Sequence, residues 1–151
     1  MPVLKKIQTT SSEICLWKIT EKEDDFDLAI TTSKSDLTQR NTQWLASRAA
    51  LDALEIDISN VVKDDNGKPY VKGKGKHISI SHAKQYAAAI SSRVAVGIDI
   101  EEITPRIERI AVRFVNDAEW AFVKEKSKLE TLYLLWSAKE ALYKLYGKKA
   151  V

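Results

Sequence analysis

Two acidic residues at the end of an apolar stretch have the type and spacing that could bind a cation. The stretch VAVGIDIE, residues 94–101, predicts a strand with Asp99 and Glu101 on one face, about 7 Å apart. Gly97 on that face would let a ligand approach the backbone. The other face is expected to lie in the core and consists of Val94, Val96, Ile98 and Ile100. A solvated acidic edge would explain the same pattern, so both interpretations stay open.

A second group of charged residues interrupts a long apolar pattern. The stretch ETLYLLWSAKEALYKLYGK predicts a helix over residues 130–146 that is apolar almost all round, so we expect it to be mostly buried. Ser137, Glu140 and Lys144 share a polar stripe roughly 60° wide, and Lys139 interrupts the apolar arc. A surface ion pair would explain Glu140 and Lys144, but neither the narrow stripe nor Lys139. We therefore favour a stripe that faces a cleft.

Three carboxylates would meet at one site if Asp99, Glu101 and Glu140 converge in the fold. Unpaired and buried, they would be unstable, so they must be protonated or neutralised. A set of oxygen ligands matches Mg²⁺, which also takes oxygens from substrate phosphates. The sequence has no cluster of His or Cys residues that would favour zinc. The pattern therefore indicates a magnesium site, and nearby lysines would bind the phosphates of a substrate.

A basic segment precedes the acidic pair and favours an anionic partner. Residues 66–93 contain five lysines and one arginine but no Asp or Glu. Within the segment, Ser81 and His82 could donate hydrogen bonds to a phosphate, and a structural His at a turn explains them equally well. Arg48 lies on the apolar face of a predicted helix, where anion binding or a snorkelling side chain would account for it. For Lys68 and the KGKGKH sequence, taken alone, a loose basic loop is the simpler interpretation.

The elements that must position these residues mix strands and helices without regular alternation, which predicts the α+β class. Strands are predicted over residues 13–19, 77–81, 86–92 and 94–101. Helices are predicted over 37–54, from Thr104–Pro105, from 116, and over 130–146 with Gly147 as the C-terminal stop. A lone cysteine and the lack of a membrane-length or signal-like apolar run predict a cytoplasmic protein.

Four motifs taken together resemble the 4′-phosphopantetheinyl transferases, although each motif alone is weak. GKPY, ISISHAK and GIDIE are followed, 35 residues after Glu101, by WSAKEALYK. The order is most similar to that of the two-lobed type, which acts on carrier domains of biosynthetic synthases. The resemblance implies a 4′-phosphopantetheinyl transferase-like α+β fold of two related lobes, about residues 1–76 and 77–151. We expect the second lobe to be shortened at its C-terminus and the protein to be a monomer or a self-associated dimer.

The activity that the resemblance implies is of the holo-acyl-carrier-protein synthase type. The 4′-phosphopantetheine group would move from coenzyme A, the co-substrate, to a serine of an apo acyl or peptidyl carrier protein, releasing 3′,5′-ADP. The reaction would depend on Mg²⁺, with Mn²⁺ as an alternative. Neither nucleic acid nor a membrane is expected as a partner. The alternative is a non-catalytic module that binds coenzyme A or a carrier protein and lacks the C-terminal strands.

The resemblance also implies roles for particular residues. The metal ligands would be Asp99, Glu101 and Glu140, and Glu140 would also be the base, acting directly or through water. Lys139 and Lys144 would hold the pyrophosphate, and Lys144 would act in catalysis beside Glu140. The remaining contacts to coenzyme A would come from Arg48, Lys68, Pro69, Ser81 and His82, with Arg40 as a weaker match. Trp136 is expected to pack and to orient its helix.

Overall fold

The computed structural model describes residues 3–26, 42–73 and 75–147, and within them the fold is α+β, as predicted. The strands are β1 (Val3–Gln8), β2 (Ser12–Lys18), β3 (Val61–Lys63), β4 (Pro69–Val71), β5 (His77–Ala83) and β6 (Tyr86–Ser92). The α-helices are α1 (Thr42–Asp52), α2 (Asp117–Trp120) and α3 (Lys128–Tyr146). Short 3₁₀ turns connect several of these elements.

Four strands form an antiparallel sheet in the order β1-β2-β6-β5, and β3 and β4 form a separate hairpin. Strands β5 and β6 are a hairpin whose register runs from His77↔Ser92 to Ala83↔Tyr86, so this predicted pair of strands is confirmed. Because β6 also pairs with β2 along its whole length, the sheet crosses the lobe boundary expected near residue 76. The division into two lobes remains a prediction.

One face of the sheet is covered by α1, because small and apolar residues of β6 and β5 let the helix approach closely. Ala89 and Ile78 are buried in a cluster with Leu51 of the helix. The helix was predicted over residues 37–54, and the described part agrees from Thr42 to Asp52. The first residues of that prediction, with Arg40, lie outside the described residues.

The opposite face of β5 holds the segment of residues 94–101. Side chains alternate along a strand, so Ser79 and Ser81 project away from the face on which Ile78 meets α1. Their hydroxyls accept the backbone N–H groups of Ile98 and Ile100, both at 3.1 Å. The segment therefore lies over the face of the sheet and joins no strand ladder, so its prediction as a strand was wrong. The core prediction for its apolar face also fails, since Val94 is 55% exposed.

A second hydrophobic cluster joins α3 to the 3₁₀ turns that follow residue 104. Its buried members are Ile107, Ala111, Val115 and Leu132. The prediction that α3 is mostly buried was wrong. Leu132 is its one buried residue, whereas Leu134 and Tyr146 are 71% and 72% exposed. A helical wheel counts apolar residues, but the described neighbours of α3 cover only part of its surface.

The ends of the helices follow local rules that the sequence carries. Gly147 ends α3 in the left-handed conformation, with φ 67°, as predicted. The helix expected from residue 116 is confirmed as α2, where Asn116 and Glu119 form a capping box. The helix expected after Thr104 is a single 3₁₀ turn, Pro105–Arg109. No helix among the described residues combines the length and the apolarity needed to cross a membrane.

Candidate active site

Helix α3 packs directly on the backbone of the acidic segment, and Gly97 makes this packing feasible. A Cβ atom on Gly97 would overlap the carbonyl oxygen of Ala141 and would lie 2.8 Å from the backbone nitrogen of Leu145. The sequence suggested that this glycine lets a ligand reach the backbone. The structure corrects this interpretation, because the close approach is made by α3. The contact fixes Glu140 and Lys144 beside the acidic segment.

Asp99 is the most enclosed carboxylate of the site, with its side chain only 5% exposed. Its Oδ1 atom accepts hydrogen bonds from the Lys144 ammonium at 3.0 Å and from the Ser81 hydroxyl at 3.2 Å. Its Oδ2 atom is also buried but receives no hydrogen bond from the described residues. A buried carboxylate oxygen without a hydrogen-bond donor destabilises the folded protein unless a cation or another donor reaches it.

Glu101 is held from the side of α3. The indole Nε1–H of Trp136 donates a hydrogen bond of 3.0 Å to Oε1 of Glu101. Trp136 also packs edge-on against Phe114, with ring centres 5.2 Å apart and planes at 70°. The sequence predicted the packing of Trp136, but nothing in it pointed to the hydrogen bond.

Glu140 completes a group of three carboxylates that influence one another. Burial raises the pKa of Glu140 above its usual range, and the negative charges of Asp99 and Glu101 raise this pKa further. The ammonium of Lys144 acts in the opposite direction. In the described part of the chain, however, no three acidic, His or Cys residues are close enough to form a finished metal site. The three residues therefore share one electrostatic environment without converging on one point.

The donor set of this group fits Mg²⁺, which takes oxygen ligands and keeps several waters. Asp99 supplies a buried oxygen that no described donor satisfies. The pKa of Glu140 is raised by burial and by the charges of Asp99 and Glu101, which the ammonium of Lys144 opposes. A bound divalent cation would satisfy the buried oxygen of Asp99 and would stabilise the ionised form of Glu140. The assignment of Asp99, Glu101 and Glu140 as metal ligands remains a prediction.

A basic pocket of about 400 Å³ opens beside the carboxylates, between the β3–β4 hairpin and α3. Four of the predicted site residues line it, namely Lys68, Pro69, Glu140 and Lys144. The ammonium of Lys68 donates to the carbonyl oxygen of Leu145 at 2.7 Å, which joins the hairpin to the helix. The pocket thus places lysine side chains beside the three carboxylates that could hold a cation.

Two further residues of the pocket were not singled out from the sequence. Lys63 reaches the pocket because it pairs with Pro69 across the β3–β4 hairpin. Tyr143 lines the pocket beside Lys144, although the helical wheel counted it with the apolar arc. The Asn66–Gly67 turn next to Lys68 was the available signal for Lys63, since a hairpin turn pairs the residues on its two sides.

Ser81 and His82 lie at the edge of the same site. Ser81 is buried and places its one hydroxyl hydrogen on Asp99. His82 lies at the surface with its ring partly covered by protein, and this partial burial, together with the charge of Lys144, lowers the pKa of its imidazole. The lowered pKa favours the neutral form of His82 near neutral pH, and the ring is close enough to Lys144 for the ammonium charge to disfavour its protonation.

Arg48 and Lys139 do not line the pocket. Arg48 is 9% exposed, and its guanidinium lies 4.0 Å from the ring centre of Trp44. The ammonium of Lys139 donates to the carbonyl oxygen of Phe114 and forms an ion pair of 2.8 Å with Glu119. The predicted roles of Arg48 and Lys139 in binding coenzyme A therefore stay predictions.

The chain is similar in sequence to known proteins. Residues 95–151 match the model of the 4′-phosphopantetheinyl transferase superfamily. The 4′-phosphopantetheinyl transferase gsp of Aneurinibacillus migulanus is 31% identical over 111 residues, which cover 70% of this chain and 46% of that protein. The 4′-phosphopantetheinyl transferase psf-1 of Bacillus pumilus is 37% identical over 89 residues, covering 56% of this chain and 38% of that protein.

A third relative is matched over more of its length. The 4′-phosphopantetheinyl transferase AcpT of Escherichia coli K12 is 29% identical over 118 residues, which cover 74% of this chain and 60% of that protein. The chain thus spans about half the length of the curated relatives it matches. These matches confirm the family resemblance: the chain belongs to the 4′-phosphopantetheinyl transferase superfamily.

Proposed function

We propose that this protein transfers the 4′-phosphopantetheine group of coenzyme A to a serine of an acyl or peptidyl carrier protein, releasing 3′,5′-ADP. The observation that carries the proposal is the position of Glu140 and Lys144, one turn apart on α3. Both line the basic pocket, and Lys144 also binds Asp99. The pair therefore joins a pocket suited to phosphates to a group suited to a divalent cation.

The metal in this proposal is Mg²⁺, with Mn²⁺ as an alternative, and its holders are Asp99, Glu101 and Glu140. When bound, the cation would offset negative charge on the pyrophosphate of coenzyme A. Without a cation, the ammonium of Lys144 orients Asp99, at 3.0 Å from its Oδ1 atom. Because Lys144 also lines the pocket, its ammonium would be able to turn toward a phosphate oxygen if Asp99 held a cation.

In the reaction, the serine oxygen of the carrier protein attacks the β-phosphorus of coenzyme A. The bond from this phosphorus to the oxygen that bridges to the adenosine side breaks, and 3′,5′-ADP leaves with the bond's electrons. Glu140 accepts the serine proton, directly or through one water. A carboxylate beside the attacking oxygen can take up this proton as a general base. Lys144 stabilises the negative charge that develops on the departing oxygen.

Coenzyme A would lie in the basic pocket, where Lys68 and Lys144 meet its phosphates and Pro69 shapes the wall. His82, near Lys144 at the rim, would donate from its neutral imidazole. Contacts from Ser81, Arg48 and Lys139 are part of the proposal on the family resemblance. For Ser81 and Lys139, each such contact would have to replace a hydrogen bond that the structure shows.

The proposal also includes the two-lobed type of enzyme and its carrier-protein partner. Residues 66–93 include Lys68 of the pocket, and the segment contains five lysines and one arginine but no acidic residue. Such a basic segment would attract an acidic carrier domain and raise the rate of encounter.

The test is a mass-shift assay with the protein, Mg²⁺, coenzyme A and several apo-carrier domains. Transfer adds the mass of phosphopantetheine to the carrier, and Glu140→Gln should lower the rate by on the order of 100-fold or more. Glu130→Gln is the matched control, since Glu130 is exposed in the first turn of the same helix. Wild-type protein that modifies none of the carriers, or a Glu140→Gln variant as active as the control, would contradict the proposal.

A second candidate function is a module that binds coenzyme A or a carrier protein without turnover. The observation in its favour is that the matched region accounts for 46% of the Aneurinibacillus relative and 38% of the Bacillus relative. Titration calorimetry with coenzyme A separates the two candidates. A binding module would release heat with coenzyme A and leave every carrier at its original mass. An active transferase would release heat with coenzyme A and also raise the mass of a carrier.

A further inference from the structure

Trp136 makes two contacts that together fix the position of a carboxylate. Its ring packs edge-on against Phe114 in the second hydrophobic cluster, and its Nε1–H donates to Glu101 at 3.0 Å. We infer that Trp136 is a positioning residue: its indole N–H orients Glu101 toward Asp99 and Glu140 and so sets the affinity of the site for Mg²⁺. The inference rests on the proposed function, because it assumes that these carboxylates hold a cation.

The chemistry of the indole suits this role. An indole N–H can only donate a hydrogen bond, so it occupies one lone pair of a carboxylate without competing for a cation. The edge-on contact with Phe114 fixes the plane of the indole and hence the direction of its N–H. A hydrogen-bond donor that fixes a metal ligand, without binding the metal itself, typically raises the metal affinity by about 10- to 100-fold.

Glu101 needs such a partner more than Asp99 does. Asp99 is enclosed and already receives hydrogen bonds from Lys144 and Ser81. Glu101 is exposed, and within the described residues Trp136 supplies the sole hydrogen bond that its carboxylate receives. Without the indole, Glu101 would sample several rotamers in water, and binding a cation would have to select one of them.

The two carboxylates are thus held by two neutral donors that come from different elements. Ser81 of β5 donates to Asp99, and Trp136 of α3 donates to Glu101. Because Gly97 lets α3 pack on the same segment, the position of the helix is transmitted to Glu101 through the indole. Trp136 therefore links the packing of the second hydrophobic cluster to the geometry of the acidic group.

The first experiment compares Trp136→Phe with Trp120→Phe. Trp120 belongs to the same cluster, and in the described structure its indole does not bond to Glu101. Trp136→Phe keeps an aromatic ring against Phe114 but removes the N–H. We expect it to raise the Mg²⁺ concentration needed for half-maximal transfer by about 10-fold or more, with little change in kcat at saturating Mg²⁺. Equal Mg²⁺ dependence in the two variants would overturn the inference.

The second experiment needs no enzyme activity and keeps Trp136 in place. The indole N–H signals of the four tryptophans are followed by ¹H–¹⁵N NMR as Mg²⁺ is added. We expect Mg²⁺, and separately Glu101→Gln, to shift the Trp136 signal more than that of Trp120. This outcome would support the inference even if Trp136→Phe fails to fold. A Trp136 signal that moves no more than the Trp120 signal would overturn it.

The outcomes also separate this inference from the proposed function. Transfer by the wild type with no difference between the two tryptophan variants would remove only the role of Trp136. A wild type that neither transfers nor responds to Mg²⁺ would end both. Mg²⁺-dependent shifts of the Trp136 signal without transfer would support the role of Trp136 in a cation site and contradict the transferase.

Discussion

Replacing Gly97 by Ala tests how the site is assembled, because this glycine is where α3 touches the acidic segment. The added methyl group would overlap the carbonyl oxygen of Ala141 and lie 2.8 Å from the nitrogen of Leu145. Both atoms belong to the helix backbone, so no side chain can rotate away to make room. The helix or the segment must therefore move.

The size of the movement follows from the geometry. Ordinary contact begins at 3.4 Å, so the nitrogen of Leu145, now 2.8 Å away, must retreat by about 0.6 Å and the Ala141 oxygen by more. Overpacking of this kind costs about 1–3 kcal/mol of the free energy of unfolding, and a backbone clash belongs at the upper end. A displacement near 1 Å at reacting groups can lower the rate about 100-fold. Glu140 and Lys144 lie on the displaced turn of the helix.

The assay measures urea unfolding and carrier modification for the same preparations. Gly73→Ala is the matched control, since Gly73 has a positive φ of 71° and no atom within 4 Å of its added Cβ. The control should lose about 1–2 kcal/mol from backbone strain alone and keep its activity. Gly97→Ala should lose more stability and, while still folded, show the weaker transfer.

The decisive comparison is made at a urea concentration where both variants are folded. Gly97→Ala with the stability and transfer rate of the control would refute the packing argument. Stability lost without any effect on transfer would show that the position of α3 is not what aligns the catalytic residues.

Three further outcomes follow from the contacts of the site. Glu140→Gln should be at least as stable as the wild type above neutral pH. The pKa of Glu140 is raised in the folded state, so the wild-type protein loses stability as the pH rises through that pKa and the carboxyl group ionises; urea unfolding at several pH values checks this. Lys144→Met should raise the pKa of His82, because the charge of Lys144 lowers it, and NMR titration of the two histidines checks this with His77 as the internal reference. Ser81→Ala should lower the free energy of unfolding by about 1–3 kcal/mol, because it removes one of the two donors to the buried Oδ1 of Asp99 and leaves the backbone N–H of Ile100 without its acceptor. Ser81→Thr keeps the hydroxyl, so equal stability of the two variants in urea would contradict this.

Local rules account for what could be read from the sequence. The helical period places Glu140 and Lys144 one turn apart on one face, and the structure finds both in the pocket. The alternation of an extended chain places Asp99 and Glu101 on one side, and both raise the pKa of Glu140. The hairpin of β5 and β6 and the glycine stop of α3 also follow from neighbouring residues alone.

Other features do not follow from local rules, because they arise where one segment meets another. The acidic segment is extended as its alternation predicts, yet the hydroxyls of Ser79 and Ser81 bind it over the face of the sheet instead of a neighbouring strand. Lys139 lies one residue before Glu140, and the helical rotation between them turns its ammonium to Glu119 and away from the pocket. These outcomes depend on which surfaces of the helix and sheet are covered.

The sequence by itself determined the chemical groups of this protein, their spacing and the superfamily to which they belong. The tertiary structure decided which of these groups act together: Trp136 with Glu101, Ser81 with Asp99, and Gly97 with the backbone of α3. The physical reason is that periodicity fixes the direction of side chains within one element. The contacts between elements arise only when packing sets the distance and rotation of one element against another.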